Sequence, residues 1–282
     1  GKSLFGVTYK KKFNLLSLIL FYKYLFTIKM ILLFLLLILI IVLIVIIRDY
    51  RHLHKVNPTK DILFAKNPDE KHLSLMIADA YPIVVLDKLN DNISIKDISK
   101  IIPKTVVKYS YKSKPGDKTI YLKDLEKNID DMLLLKDTKI VRDLKIDKIV
   151  NSIINLFNRP LTYYPKTNIY SHIVSKDTRI PLRKNINDTN VIIVMNGNIR
   201  IFMVSPLYQK NMYESNNTSP INMWDPDMKK FPLYKSVKIS SDNIYEKEFI
   251  YIPPNWWYAI LSPVNSFMIQ IQRDNILSSI KN

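Results

Sequence analysis

Residues Glu248–Ile260 read EFIYIPPNWWYAI. Phe249–Ile252 is a short run of β-branched and aromatic side chains, the composition of a buried strand. Pro253 and Pro254 end it, because proline has no amide hydrogen to give a ladder. Trp256 and Trp257 read as packing anchors, since large aromatic surfaces suit a core better than a ligand platform. A further strand is expected over Tyr258–Leu261. Working outward, Ser266–Gln272 (SFMIQIQ) and Ser236–Ile239 are also expected strands. Val191–Met195 (VIIVM) and Ile199–Val204 (IRIFMV) flank Asn196-Gly197. Asn-Gly between two β-branched runs predicts a hairpin, because both turn positions then need positive φ. Several short strands with turn signals predict a barrel or sandwich after Pro160.

Upstream the pattern is mixed. Tyr121–Phe157 reads as helical through Leu122, Leu125 and Ile129, then Leu144, Ile149, Ile153, Ile154 and Phe157. VVKYSY and TIYL around KSKPGDK predict a hairpin inside residues 103–122. Ser94 is placed to cap a helix carrying Ile95, Ile98, Ile101 and Ile102. The apolar run after Pro82 in AYPIVVLDKLN (80–90) predicts a strand. Residues 48–79 read as a linker or stalk, since 48–70 is polar and holds two prolines.

Met30–Ile47 (MILLFLLLILIIVLIVII) has no charge, Pro or Gly. At about 1.5 Å per residue it approaches the roughly 30 Å hydrocarbon core of a bilayer. Its length exceeds a signal-peptide core, and RDYRHLHK follows in place of small cleavable residues. An uncleaved single-pass anchor over 30–47 is the expectation, preceded by a basic, partly apolar segment over 1–29. The stretch Phe13–Ile28 is apolar but interrupted by Lys23. It reads as a second short helix, an interfacial helix, or sequence upstream of a start at Met30. Cations are balanced on the two sides, so charge sets no orientation.

Composition removes several chemistries. The 282 residues contain no cysteine, which excludes disulfides, thiolate metal sites and cysteine nucleophiles. Four glycines make neither a dinucleotide-binding fingerprint nor a phosphate loop. The net charge is +17, about half of it within residues 1–60, where it would face lipid headgroups. The remainder is Lys-rich, with no Arg cluster and no aromatic-basic RNA motif, so nucleic acid is not the expected partner. Sequons at Asn92, Asn187, Asn216 and Asn217 matter if the domain faces a lumen. Trp224 is expected to pack under its loop, Tyr163 and Tyr164 at core or rim, and Asp225 and Asp227 as turn caps.

Three segments are informative together: IPLRKN (Ile180–Asn185), SPINMWDPDMKKFPLY (Ser219–Tyr234) and EFIYIPPNWWYAI. Over residues 80–275 they resemble the cupin-like, Jumonji-C-type branch of the 2-oxoglutarate/iron(II) oxygenases. The resemblance implies a mostly β, α+β fold over 80–282: a double-stranded β-helix, or jelly roll, with flanking helices. It also implies iron held by two histidines and a carboxylate, and a lysine that pairs with 2-oxoglutarate. Here the ligand positions fall on Arg183, Asn185 and Tyr258, and the lysine position on Ile199. Asn255 stands for the family's glycine before Trp-Trp, and a one-residue slip moves the carboxylate position to Asp188. No slip restores two histidines, because only His172 lies in the β half. That histidine reads as an ordinary surface or core residue. Arginine is a donor only and cannot ligate a metal. A cation at this position repels Fe²⁺ and suits an anion, unless Arg183 stacks on Tyr258 or pairs with an acid.

The expectation is therefore a membrane-anchored cupin-like protein without catalysis, serving a structural or binding role. Neither iron nor 2-oxoglutarate is expected as a cofactor, and Arg183, Asn185 and Tyr258 are expected to face one cavity. The AT-rich flavour of the composition and the single anchor suit a large DNA virus, in a virion or host membrane. Two other readings compete: an active iron/2-oxoglutarate hydroxylase or demethylase with other ligands, and a basic tethered module for nucleic acid or acidic lipid.

Overall fold

The structure, a computed structural model, describes residues 4–57, 61–86, 89, 93–111 and 117–281. The chain divides into two compact units, residues 1–48 and 49–282. The first is one long helix, α1 (Leu4–His54), which runs a few residues into the second unit. No break separates Phe13–Ile28 from the apolar stretch that follows. Residues 17–54 are long and apolar enough to cross a membrane, with a mean hydropathy of 4.0 over the most apolar window and none of that window buried.

The second unit contains β1 (Leu63–Lys66), α2 (Glu70–Ala78), β2 (Ile83–Leu86), α3 (Ile95–Ile101), β3 (Val106–Tyr111), β4 (Asp117–Tyr121) and α4 (Leu125–Asn128). Next come β5 (Met132–Asp137), α5 (Lys139–Leu144), α6 (Asp147–Leu156), β6 (Lys166–Val174), β7 (Thr178–Lys184), β8 (Thr189–Asn196) and β9 (Asn198–Val204). Then follow β10 (Ile239–Tyr245), β11 (Phe249–Ile252), β12 (Trp257–Ser262), β13 (Ser266–Asp274) and α7 (Ile276–Lys281). Nine strands form one sheet in the order β1-β2-β11-β8-β13-β6-β5-β3-β4. Four form the other, in the order β10-β9-β12-β7. This is the expected jelly roll with helices outside.

Period-two alternation sends successive side chains to opposite faces, and the core layers follow from it. Ile192, Val194, Ile250 and Met268 of the large sheet meet Ile180, Ile199, Ile201, Tyr258 and Ile260 of the small one. The other face of the large sheet, with Ile193, Phe249 and Ile269, packs on Leu73, Ile98, Ile153 and Phe157 from the helices. Trp256 and Trp257 are adjacent and both fully buried, yet serve different layers. Trp256 fills the inter-sheet core, and Trp257 packs with Met212, Ile221 and Phe231 under the long loop.

Several local expectations are corrected. Asn196-Gly197 is not a hairpin, because β8 pairs with β11 and β13 while β9 pairs with β10 and β12. It is a corner where the chain passes from one sheet to the other. Gly197 alone has positive φ, +80°, where a two-residue primed turn would need both. The helix expected over Tyr121–Phe157 is interrupted by β5, whose residues Met132–Leu135 alternate buried and half-buried and pair with β3 and β6. Leucine is a good helix former, but sheet pairing overrides that preference here. The strand expected at Ser236–Ile239 lies at 239–245, behind a short 3₁₀ turn beginning at Pro232. Residues 48–79, expected as a linker, carry the end of α1, β1 and α2. The small hairpin around 103–122 forms, though its turn at 112–116 and the Asn92 sequon lie outside the described residues. Ser94 caps α3 in a full capping box with Asp97.

At the corner, a Cβ on Gly197 would stand 2.6 Å from the Asn265 carbonyl oxygen and 2.7 Å from Ser266 Oγ. Gly197→Ala is expected to lower unfolding free energy by about 1–3 kcal/mol, from the left-handed φ and the contact with backbone together. Urea unfolding checks this, and an unchanged midpoint contradicts it.

Candidate functional site

β7 and β12 are antiparallel neighbours, and their register puts Arg183 directly opposite Tyr258. The two side chains line one cavity between the sheets. His172 of β6 and Gln270 of β13 close its polar end, and Leu135, Ile180, Ile192, Ile260 and Met268 form the apolar walls. The enclosed space open to the centre of a water molecule is about 20 Å³. That is little more than one water requires.

The hydrogen-bond polarity in this cavity is fixed by one backbone amide. The N–H of Lys136 can only donate, and it points at His172 Nδ1 at 3.4 Å. His172 therefore carries its hydrogen on Nε2 and donates to Gln270 Oε1 at 3.1 Å. The Gln270 amide nitrogen then donates to Asn190 Oδ1 at 2.8 Å and to the Tyr258 hydroxyl oxygen at 3.3 Å. The Tyr258 hydroxyl hydrogen is left for another partner. Asn190 is fully buried, and its Nδ2 has no hydrogen-bond partner among the described residues.

The electrostatics are one-sided. Among the described residues no carboxylate pairs with Arg183. Burial pushes the His172 imidazole down to about 4, and the cations Arg183 and Lys136 press it in the same direction. Burial and Arg183 likewise lower the Lys136 ammonium. Near neutral pH the cavity thus holds a neutral histidine beside the Arg183 cation.

Asn185 does not join this cavity. It is buried, and its amide nitrogen donates to the carbonyls of Ile252 at 2.8 Å, Pro253 at 2.9 Å and Asn187 at 3.2 Å. Its oxygen accepts from the Asn187 amide, and its backbone exchanges bonds with Asn255 and Trp256. Asn185 is the clamp that holds the Pro253-Pro254-Asn255 turn, with Asn255 at a φ of +65°. Pro254 and Asn255 border a second cavity of about 180 Å³ with Leu53 and Lys184. Ile199 is wholly buried in the inter-sheet core. Asp227 caps its turn by accepting from the amides of Lys229 and Lys230. Trp224 packs edge-on against Phe202 under its loop.

Asp188 belongs to a separate buried cluster. Arg159 donates to Asp188 at 2.6 Å and lies 3.8 Å from Asp49, and His52 is 3.9 Å from Asp188. Burial pushes the Asp188 carboxyl up to about 6 against the pull of Arg159. Arg273 stacks 3.7 Å above the Tyr164 ring beside it. The sequence held a signal for the helical part of this cluster. Asp49, His52 and Leu53 recur at i, i+3 and i+4, one face of a helix, in a stretch that otherwise reads as polar. Of His172, Gln270 and Asn190 only Gln270 falls in a strand expected from the sequence, and their convergence is made by pairing between distant segments.

Among the described residues no group of three His, Cys, Asp or Glu side chains is placed to hold a metal ion. A family model described as a cupin-like domain matches residues 112–273, more than half of the chain. The chain is also similar to "JmjC domain-containing protein D" of Dictyostelium discoideum, 29% identical over 116 residues. That match covers 39% of this chain and 21% of the relative, so the chain spans about a fifth of that protein's length.

Asn185→Asp would put an acceptor against carbonyls that now receive hydrogen bonds. It is expected to cost about 2–4 kcal/mol of stability at neutral pH. Chemical unfolding measures this, and a variant as stable as the parent contradicts the clamp.

Proposed function

The chain belongs to the cupin-like domain family, and from that premise we propose that it is a catalytically inactive member, held at a membrane by its N-terminal helix, with a binding or structural role. The observation that carries this reading is Arg183, a cation without a paired acid, at the position where the resemblance puts the first iron-binding histidine. The donor set around the cavity does not suit an iron ion. Arg183 offers no lone pair, both ring nitrogens of His172 are engaged by Lys136 and Gln270, and the Asn185 amide is turned to the Pro-Pro loop. The cosubstrate position is equally changed, since Ile199 offers nothing to a carboxylate.

The alternative of an active oxygenase makes the opposite prediction on one assay. The full chain, purified in detergent without chelators and supplied with Fe(II) and 2-oxoglutarate under air, is expected to hold no stoichiometric iron and release no succinate above a buffer control. One iron per chain, with steady succinate release, would overturn the reading.

A further inference from the structure

We propose that the cavity between the sheets is a receptor for a small aliphatic carboxylate, gripped by Arg183 and Tyr258. The inference rests on the metal-free reading above and names the ligand class of that same site.

The groups left free around the cavity are donors. Tyr258 accepts from Gln270, which leaves its own hydrogen to give. Asn190 Nδ2 is a fully buried donor with no partner among the described residues. Ile192 lines the cavity two residues along β8, so Asn190 shares the same inward face. Arg183 adds a planar fork of donors and a positive charge, and no carboxylate among the described residues pairs with it. Buried polar atoms are normally satisfied, and a buried or half-buried cation is normally paired. One anion at this point would meet both demands. The chemistry of the walls narrows the choice. Five of the nine lining residues are Leu, Ile or Met, which favours an anion with a hydrocarbon end over a fully hydrated one. The space of about 20 Å³ open to the centre of a water suits a compact head better than a five-carbon dicarboxylate.

The test uses the full chain in detergent, titrated calorimetrically with sodium acetate at constant ionic strength, with chloride and 2-oxoglutarate as comparison arms. Acetate is expected to bind saturably at one site, and to bind more tightly than either comparison anion. Arg183→Met makes no change to a resolved hydrogen bond and is expected to fold. It is expected to weaken acetate binding roughly tenfold to hundredfold, the loss of a charge-assisted hydrogen bond. Tyr258→Phe is expected to weaken it less. No saturable acetate binding, equal binding of chloride, or full acetate affinity in folded Arg183→Met would each overturn the proposal. None of these results depends on iron. A chain that binds neither iron nor acetate ends this inference alone, whereas one iron per chain ends the reading beneath it.

Discussion

The mouth of the barrel depends on the hydrogen bonds of one side chain. Asn185 follows β7 directly and ties it to the Ile252–Trp257 turn, where the chain passes from β11 in the large sheet to β12 in the small one. That tie fixes how β7 and β12 run past each other, and hence that Arg183 faces Tyr258. It also explains why an amide suits the position better than a carboxylate. The surrounding groups are carbonyls, and only a donor can satisfy them. The residue that the resemblance marks as a lost metal ligand thus has a positive role in the fold.

Two arginines show what burial asks of a cation in this protein. Arg159 sits deep, with Asp188 at 2.6 Å, Asp49 at 3.8 Å and the Tyr164 hydroxyl at 3.3 Å. It is compensated on several sides, which is the condition under which a buried charge is tolerated. Arg183 lines the cavity between the sheets, half-buried, and its charge bears on another cation, Lys136. Strand pairing alone brings it there. A fold that pairs one arginine with carboxylates and leaves another facing a small apolar-walled space has set that second charge apart.

Much of this architecture was legible in the chain itself. The Pro-Pro-Asn-Trp-Trp turn, the strands on either side of it, the capped helix at Ser94 and the apolar helix around Met30–Ile47 are local patterns with local causes. What escaped local reading depends on partners far away in sequence. Asn196-Gly197 has the residues of a hairpin, but Asn265 and Ser266 crowd it and the two strands go to different sheets. Met132–Leu135 has the composition of a helix and becomes a strand because β3 and β6 offer it edges. Arg183 and Tyr258 were found through the motif that each belongs to. Gln270 lies on a strand that the sequence announces and His172 on one that it does not, and only pairing of β6 with β13 brings them together.

The central claim is that Arg183 carries an uncompensated charge into the cavity, and His172 is a built-in reporter of that charge. Its titration by NMR, in buffer free of carboxylates, compares the parent chain with Arg183→Met. The parent imidazole is expected to titrate at about 4, held down by burial first and then by Arg183 and Lys136. Removing one of those two cations is expected to move the midpoint upward, since the protonated ring then meets less repulsion. A midpoint that stays in place, or moves down, would mean that the Arg183 charge is already neutralised, and would contradict the account.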